Sequence, residues 1–212
     1  MIYRICAAVL ALAISATTVS AAVTAYTNRT AWETALGATP TVDQFVNVID
    51  QAPSITFDSG VVSDNAGGKL NNATENRVFG GEYRNAVDGD GTVSSITNTW
   101  TFPSAIRGFG ADWSEARQGS LQVTINDGFD DETFLIADTI NTSTGRTAGF
   151  LGFIGMGDFS RVVISDATNT QDIYRVDDLA FATVIPLPAG LPLMAAGLLA
   201  LGLIGRRAKR AS

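Results

Sequence analysis

Leu121, Val123 and Ile125 alternate with Gln122, Thr124 and Asn126 and run into an Asn126-Asp127-Gly128 turn. Strict alternation of this kind is the signature of a half-buried β-strand. Short apolar or alternating stretches of similar length recur between turn residues at 54–57, 77–83, 93–102, 105–113, 133–137, 149–154, 159–165 and 173–182. No heptad, long helical period or internal repeat interrupts them between Val23 and Thr183. Strands that are not interleaved with helices exclude a parallel βαβ architecture. Stacked antiparallel sheets bury the alternating residues instead, so the expected fold is all-β, a single β-sandwich of jelly-roll type. One short helix is expected over 30–36. Asn28 can cap it, Trp32 and Leu36 share a face, and Gly37 and Pro40 stop it.

Both ends of the chain read as addresses rather than as fold. Arg4 precedes an apolar run from Ile5 to Ile14, followed by Val19-Ser20-Ala21-Ala22. This is the pattern of a secretory signal peptide spanning 1–22, removed by signal peptidase at a small-x-small site. The C-terminal end runs Ile185-Pro186-Leu187-Pro188-Ala189-Gly190-Leu191-Pro192, then an uncharged stretch over 191–205, then Arg206, Arg207, Lys209 and Arg210. The stretch has no polar face, which argues for lipid rather than a protein core. As a helix it covers only about 20 Å, so residues 185–191 in extended form complete a crossing of about 30 Å. The basic cluster then stays cytoplasmic and the 23–184 domain lies outside.

The folded part is acidic. Of 14 basic residues, Arg4 and four in the tail belong to the ends, leaving nine against 21 acidic residues and a balance of −12 for the middle. Nucleic-acid phosphates are repelled by such a surface, so no nucleic-acid partner is expected. Cys6 is the sole cysteine and lies in the signal segment, so the mature domain has no disulfide. The absence of histidine excludes Ser-His-Asp and Cys-His catalysis and the usual zinc sites. Any metal would be oxygen-ligated, which points to calcium.

The proline motif, apolar stretch and basic end, in that order, resemble the PEP-CTERM protein-sorting signal, with Pro186-Leu187-Pro188-Ala189 similar to its VPLPA variant. The chain departs from the variant in Ile185 and from the main class in Leu187. The resemblance covers the tail 185–212. It implies handling by an exosortase-type membrane enzyme and association with exopolysaccharide at the cell surface. Inside the domain, Phe150-Leu151-Gly152-Phe153, the run 159–165 and Val176-Asp177-Asp178-Leu179-Ala180-Phe181 resemble closing strands of secreted proteins with this tail.

Period two places Asp177 on the face of Leu179 and Phe181, which would turn its carboxylate toward the core. A buried carboxylate demands a cation, an arginine such as Arg175, or backbone N–H groups. The Asp177-Asp178 pair resembles the last-strand aspartate that many carbohydrate-binding jelly rolls place on a structural calcium, and a bulge turning both carboxylates to water is the alternative. Asp127, Asp130, Asp131 and Glu132 lack the ligand order of an EF-hand and read as a charged hairpin tip, and Asp88-Gly89-Asp90-Gly91 reads the same way. Asp112 and Glu115 flank Trp113, where a sugar could stack on the indole between two acids. Trp113 is therefore a candidate ligand platform, although its spacing from Phe109 and Ala111 favours the core.

Three functions remain open on the sequence. One is a non-enzymatic cell-surface or extracellular-matrix protein, calcium-stabilised and associated with exopolysaccharide. The second is a secreted glycan-cleaving enzyme using paired carboxylates. The third is a structural surface protein that assembles with itself.

Overall fold

The computed structural model describes residues 23–66, 76–87, 97–116, 121–126, 131–136, 147–167 and 172–183. The expected signal segment, Asp88 and Asp90, Asp127 and Asp130, and the whole tail with Pro186, Leu187, Pro188, Ala189 and the basic residues Arg206, Arg207, Lys209 and Arg210 lie outside the described residues. Among the described residues no helix is long and apolar enough to cross a membrane.

Eleven strands and one helix follow in the order β1 (Thr24–Tyr26), α1 (Arg29–Leu36), β2 (Thr41–Asp43), β3 (Ser54–Thr56), β4 (Val62–Asn65), β5 (Arg77–Phe79), β6 (Glu82–Val87), β7 (Asn98–Ala116), β8 (Leu121–Asn126), β9 (Asp131–Leu135), β10 (Thr147–Asp166) and β11 (Asp172–Thr183) among the described residues. Every pairing is antiparallel. The all-β expectation and the single short helix hold. The helix begins one residue early, with Asn28 Oδ1 accepting the Ala31 N–H at 2.9 Å and Gly37 closing it in the left-handed region.

The stretches expected as separate strands at 93–102 and 105–113 form one strand, β7, and those at 149–154 and 159–165 form one strand, β10. Both fold over sharply. Trp100 and Trp113 lie on the same strand thirteen positions apart, yet their rings stack with centroids 5.8 Å apart. A straight strand would separate them by roughly 43 Å at about 3.3 Å per residue. The corner lies where Pro103 lacks a ladder N–H and where β10 slips register between Ile154, Phe159 and Arg161. Consequently one hydrogen-bonded sheet doubles back on itself. One half carries β5-β6-β11-β7-β10-β1, with β2 in line with β6 along β11, and the other carries β3-β4-β7-β10-β8-β9. The expected 77–83 strand is instead a hairpin, because Gly80 and Gly81 both take positive φ and turn β5 into β6.

Aromatic rings fill the space between the halves. Phe57, Tyr83, Trp100, Trp113 and Tyr174 form a continuous chain with centroid separations of 5.0, 5.7, 5.8 and 5.9 Å. Each such contact contributes about 0.5–1.5 kcal/mol beyond its burial. At one side of this core lies a buried polar cluster. Asn98 Oδ1 accepts from the Tyr83 and Tyr174 hydroxyls at 3.3 and 3.0 Å. Its Nδ2 donates to Ser63 Oγ and Asn65 Oδ1, both at 2.9 Å. Asn85 Nδ2 donates to the Tyr83 hydroxyl and to Asn65 Oδ1 at 2.7 and 2.9 Å.

Helix α1 packs on the outer face of the first half, where Trp32 and Leu36 bury against Phe150, Ile154, Ala180 and Ala182. Trp32 Nε1 donates to the Phe153 carbonyl at 3.2 Å. This approach needs bare backbone beneath the helix: a Cβ on Gly108 would lie 2.6 Å from the Phe153 carbonyl oxygen and 3.1 Å from Leu36. Gly108→Ala is therefore expected to lower stability by about 1–3 kcal/mol, read from the urea midpoint. An unchanged midpoint would mean that the helix is not seated on this strand.

Candidate ligand-binding face

The helix covers only part of that outer face. Beyond its N-terminus the sheet is open, and cross-strand register places two rows of side chains there. In the first row Arg77 stands opposite Arg84, Arg84 opposite Arg175, and Arg175 opposite Ser114. In the second, Phe79 stands opposite Glu82 on β5 and β6, and Asp177, Asp112 and Phe150 are successive partners on β11, β7 and β10. Tyr174, Val176, Tyr83 and Val78 point the other way, into the core. That alternation turns both rows outward.

Arginines hold most of the carboxylates. Arg29 Nη2 donates to Asp112 Oδ2 and to the Asp178 carbonyl, each at 3.0 Å, while its guanidinium lies 4.7 Å over the Phe150 ring. Arg175 reaches Glu82 at 2.9 Å and Glu115 at 2.8 Å, and Arg84 reaches Glu82 at 3.3 Å. Such partly exposed pairs add little stability each, but they hold donors and acceptors in place. Phe79 is 50% exposed, with the Arg77 and Arg84 guanidiniums 5.0 and 5.7 Å from its ring centre.

The inward turn expected for Asp177 does not occur. Asp178 takes φ of 47° and the β11–β7 register shifts between Asp177 and Ala180, so a bulge reverses the alternation. Leu179 and Phe181 enter the core, and Asp177 stands on the outer face. Its Oδ1 accepts the Asp178 N–H at 2.7 Å. Among the described residues no group of three or more carboxylates is placed to hold a metal ion.

Partial burial pushes the Asp177 carboxyl above its ordinary range, the Asp178 N–H opposes this, and the charges of Asp178, Glu82 and Asp112 add to the rise. The folded chain thus binds this proton more tightly than the unfolded chain, whose aspartate titrates near about 3.9. Stability from this group falls as pH rises from there through the folded value, and above it the charged form is a liability. Asp177→Asn is expected to raise the thermal midpoint near neutral pH and to leave it unchanged in acid. A lower midpoint at neutral pH would instead reveal a cation, such as calcium, satisfying the carboxylate.

Trp113 is not a platform. It is 1% exposed, stacked on Trp100, and its Nε1 donates to the Leu151 carbonyl at 3.3 Å. Its flanking acids Asp112 and Glu115 do reach the open face, and Asp112 stands opposite Asp177. Asp131 and Glu132 lie elsewhere: Asp131 accepts from Asn126 Nδ2 at 2.9 Å and Glu132 from the Val23 N–H at 2.7 Å. Asp131 also lines a shallow groove of ≈ 460 Å³ with Thr124, Asn126, Asp158, Ser160 and Arg161 on the second half.

No family model and no curated protein sequence matches the chain. Solved structures similar to it include a family 29 carbohydrate-binding module, at 18% identity and a TM-score of 0.42 over 71% of this chain and 100% of the module. A second structure of that module gives 18% identity and a TM-score of 0.41 over 70% of this chain and 99% of the module. The catalytic domain of an α-1,3-glucanase is similar at 14% identity and a TM-score of 0.34, over 66% of this chain and 29% of that one.

Sequence patterns alone left Arg29, Arg77, Phe79, Glu82 and Arg84 unassigned. The Gly80-Gly81 pair was the available signal: a two-residue turn there puts Phe79 opposite Glu82 and Arg77 opposite Arg84.

Proposed function

We propose that this chain is an exported, non-catalytic cell-surface or matrix protein that binds extracellular polysaccharide through the open face of β5, β6, β11 and β7. The observation that carries the reading is the pair of outward rows, in which ion-paired arginines and carboxylates lie side by side next to the exposed ring of Phe79. Held donors and acceptors on an open sheet suit a ligand rich in hydroxyls, and an exposed aromatic ring suits the apolar C–H face of a sugar. Delivery rests on the 1–22 signal segment and the 185–212 tail, with residues 191–205 in the membrane until an exosortase-type enzyme acts near Pro186–Ala189.

A glycan array with the full chain in mild detergent tests this, together with mass spectrometry of the mature ends. Wild-type protein is expected to retain polysaccharide without releasing product, and to do so in the presence of chelator. Phe79→Ala is expected to weaken binding about 10-fold, the scale of one lost aromatic contact. Retention unaffected by Phe79→Ala would remove this face from the reading.

Glycan cleavage is the second reading, favoured by one observation. Asp112 and Asp177 stand opposite on neighbouring strands, one held by Arg29 and the other with a raised pKa. Two carboxyls in different environments are what acid and nucleophile roles require. New reducing ends on the array, lost in Asp177→Asn, would establish it.

A further inference from the structure

The three arginines in register are an arrangement that a sheet ordinarily avoids. Like charges directly opposite on neighbouring strands destabilise the pairing. Yet this acidic chain, with only 14 basic residues against 21 acidic ones, lines up Arg77, Arg84 and Arg175 across β5, β6 and β11. Glu82 is shared between Arg84 and Arg175, and Glu115 bonds Arg175, so these two carboxylates engage two of the three guanidiniums. Arg77 has no ion pair among the described residues; its contact is the ring of Phe79 at 5.0 Å. The buried Nε atoms of Arg77 and Arg84 have no hydrogen-bond acceptor. Among the described residues the row therefore carries one guanidinium more than its ion pairs engage, at the corner formed by Arg77, Arg84 and Phe79.

We propose that this corner is a subsite for the carboxylate of an acidic sugar, so that the polysaccharide bound by the open face is a uronate-type polymer. The inference rests on the glycan-binding reading above and narrows its ligand. A guanidinium offers a planar fork that matches a carboxylate, and the half-exposed Phe79 beside it offers an aromatic ring for the sugar's C–H groups. Neighbouring strands are about 4.8 Å apart, so the three arginines extend over roughly 10 Å, enough for more than one sugar unit. The net negative charge of the chain does not prevent this, because charges farther than about 8 Å are screened at physiological ionic strength. The adjacent row of Glu82, Asp177 and Asp112 repels a carboxylate and accepts hydrogen bonds from hydroxyls. The two rows together therefore orient the sugar, with its acid over the arginines and its hydroxyls over the acids.

The test compares binding of the full chain to oligogalacturonate and to the same oligomer after carboxyl reduction. The acidic form is expected to bind about 10-fold more tightly, a difference of about 1.4 kcal/mol that shrinks with added sodium chloride. Arg77→Gln is expected to abolish the preference, weakening the acidic oligomer's binding by about 10-fold more than the reduced oligomer's. Because it removes a like charge from the row, it should not lower the thermal midpoint, which separates a lost contact from a lost fold. Arg84→Gln provides a second variant with the same expected loss of preference. Equal affinity for the acidic and reduced oligomers would overturn the uronate inference and leave the glycan-binding face standing. Failure to bind either oligomer, or any neutral glycan on the array, would overturn both.

Discussion

Replacing Asn98 with alanine is expected to destabilise the protein by on the order of 4 kcal/mol, because several buried groups each lose a partner at about 1–3 kcal/mol. The side chain is fully buried and makes four hydrogen bonds, accepting from Tyr83 and Tyr174 and donating to Ser63 and Asn65. Alanine supplies none of them. Against a typical total of about 5–15 kcal/mol, such a loss moves the midpoint far toward unfolding under ordinary conditions. Urea denaturation followed by tryptophan fluorescence measures it; a loss below about 1 kcal/mol would mean that the cluster is hydrated or reorganises freely. The same cluster predicts an alkaline limit. Burial pushes the Tyr83 hydroxyl up to about 12, with its hydrogen bonds to Ser63 and from Asn85 only partly opposing it. The folded chain keeps this proton where the unfolded tyrosine, at about 10, has lost it, so stability falls as pH rises above about 10.

Trp113→Ala should cost about 3–5 kcal/mol, as expected for truncating a large buried aromatic. Its indole stacks on Trp100 with ring planes 17° apart, touches Tyr174, and bonds the Leu151 carbonyl. The void would open between the two halves of the sheet, where neither strand can collapse into it without disturbing the ladder on both sides. A thermal midpoint near wild type would place Trp113 at the surface and restore it as a ligand platform. The contrast with Phe79→Ala is diagnostic: one variant should lose stability, the other binding.

Much of the fold is legible because alternation is a local property. Leu121, Val123 and Ile125 are buried as their spacing requires, and the cap and stop signals at Asn28 and Gly37 bound the helix. Where the reading went astray, a local signal had two physical outcomes. Pro103 and the glycines at 155 and 157 looked like strand ends, but each marks a corner that the ladder passes through. The parity count placed Asp177 inward because it could not foresee one residue of bulge at Asp178. The candidate face was the least legible part. Its rows are defined by register between strands far apart in the chain, such as Arg84 with Arg175 or Asp112 with Asp177, and no single-strand pattern encodes that register. Hairpins are the exception, since a two-residue turn fixes its own pairing, and Gly80-Gly81 would have exposed the Arg77–Arg84 opposition.

The two bent strands also decide how the molecule comes apart. In a sandwich of two independent sheets, a seam runs between them along which one layer can peel from the other. Here β7 and β10 belong to both layers, so any opening of one drags the backbone of its opposite. The shared strands therefore disfavour a partly open form in which a single layer survives, a useful property for a chain whose single cysteine allows no internal disulfide, since a half-undone sheet is an invitation to proteases.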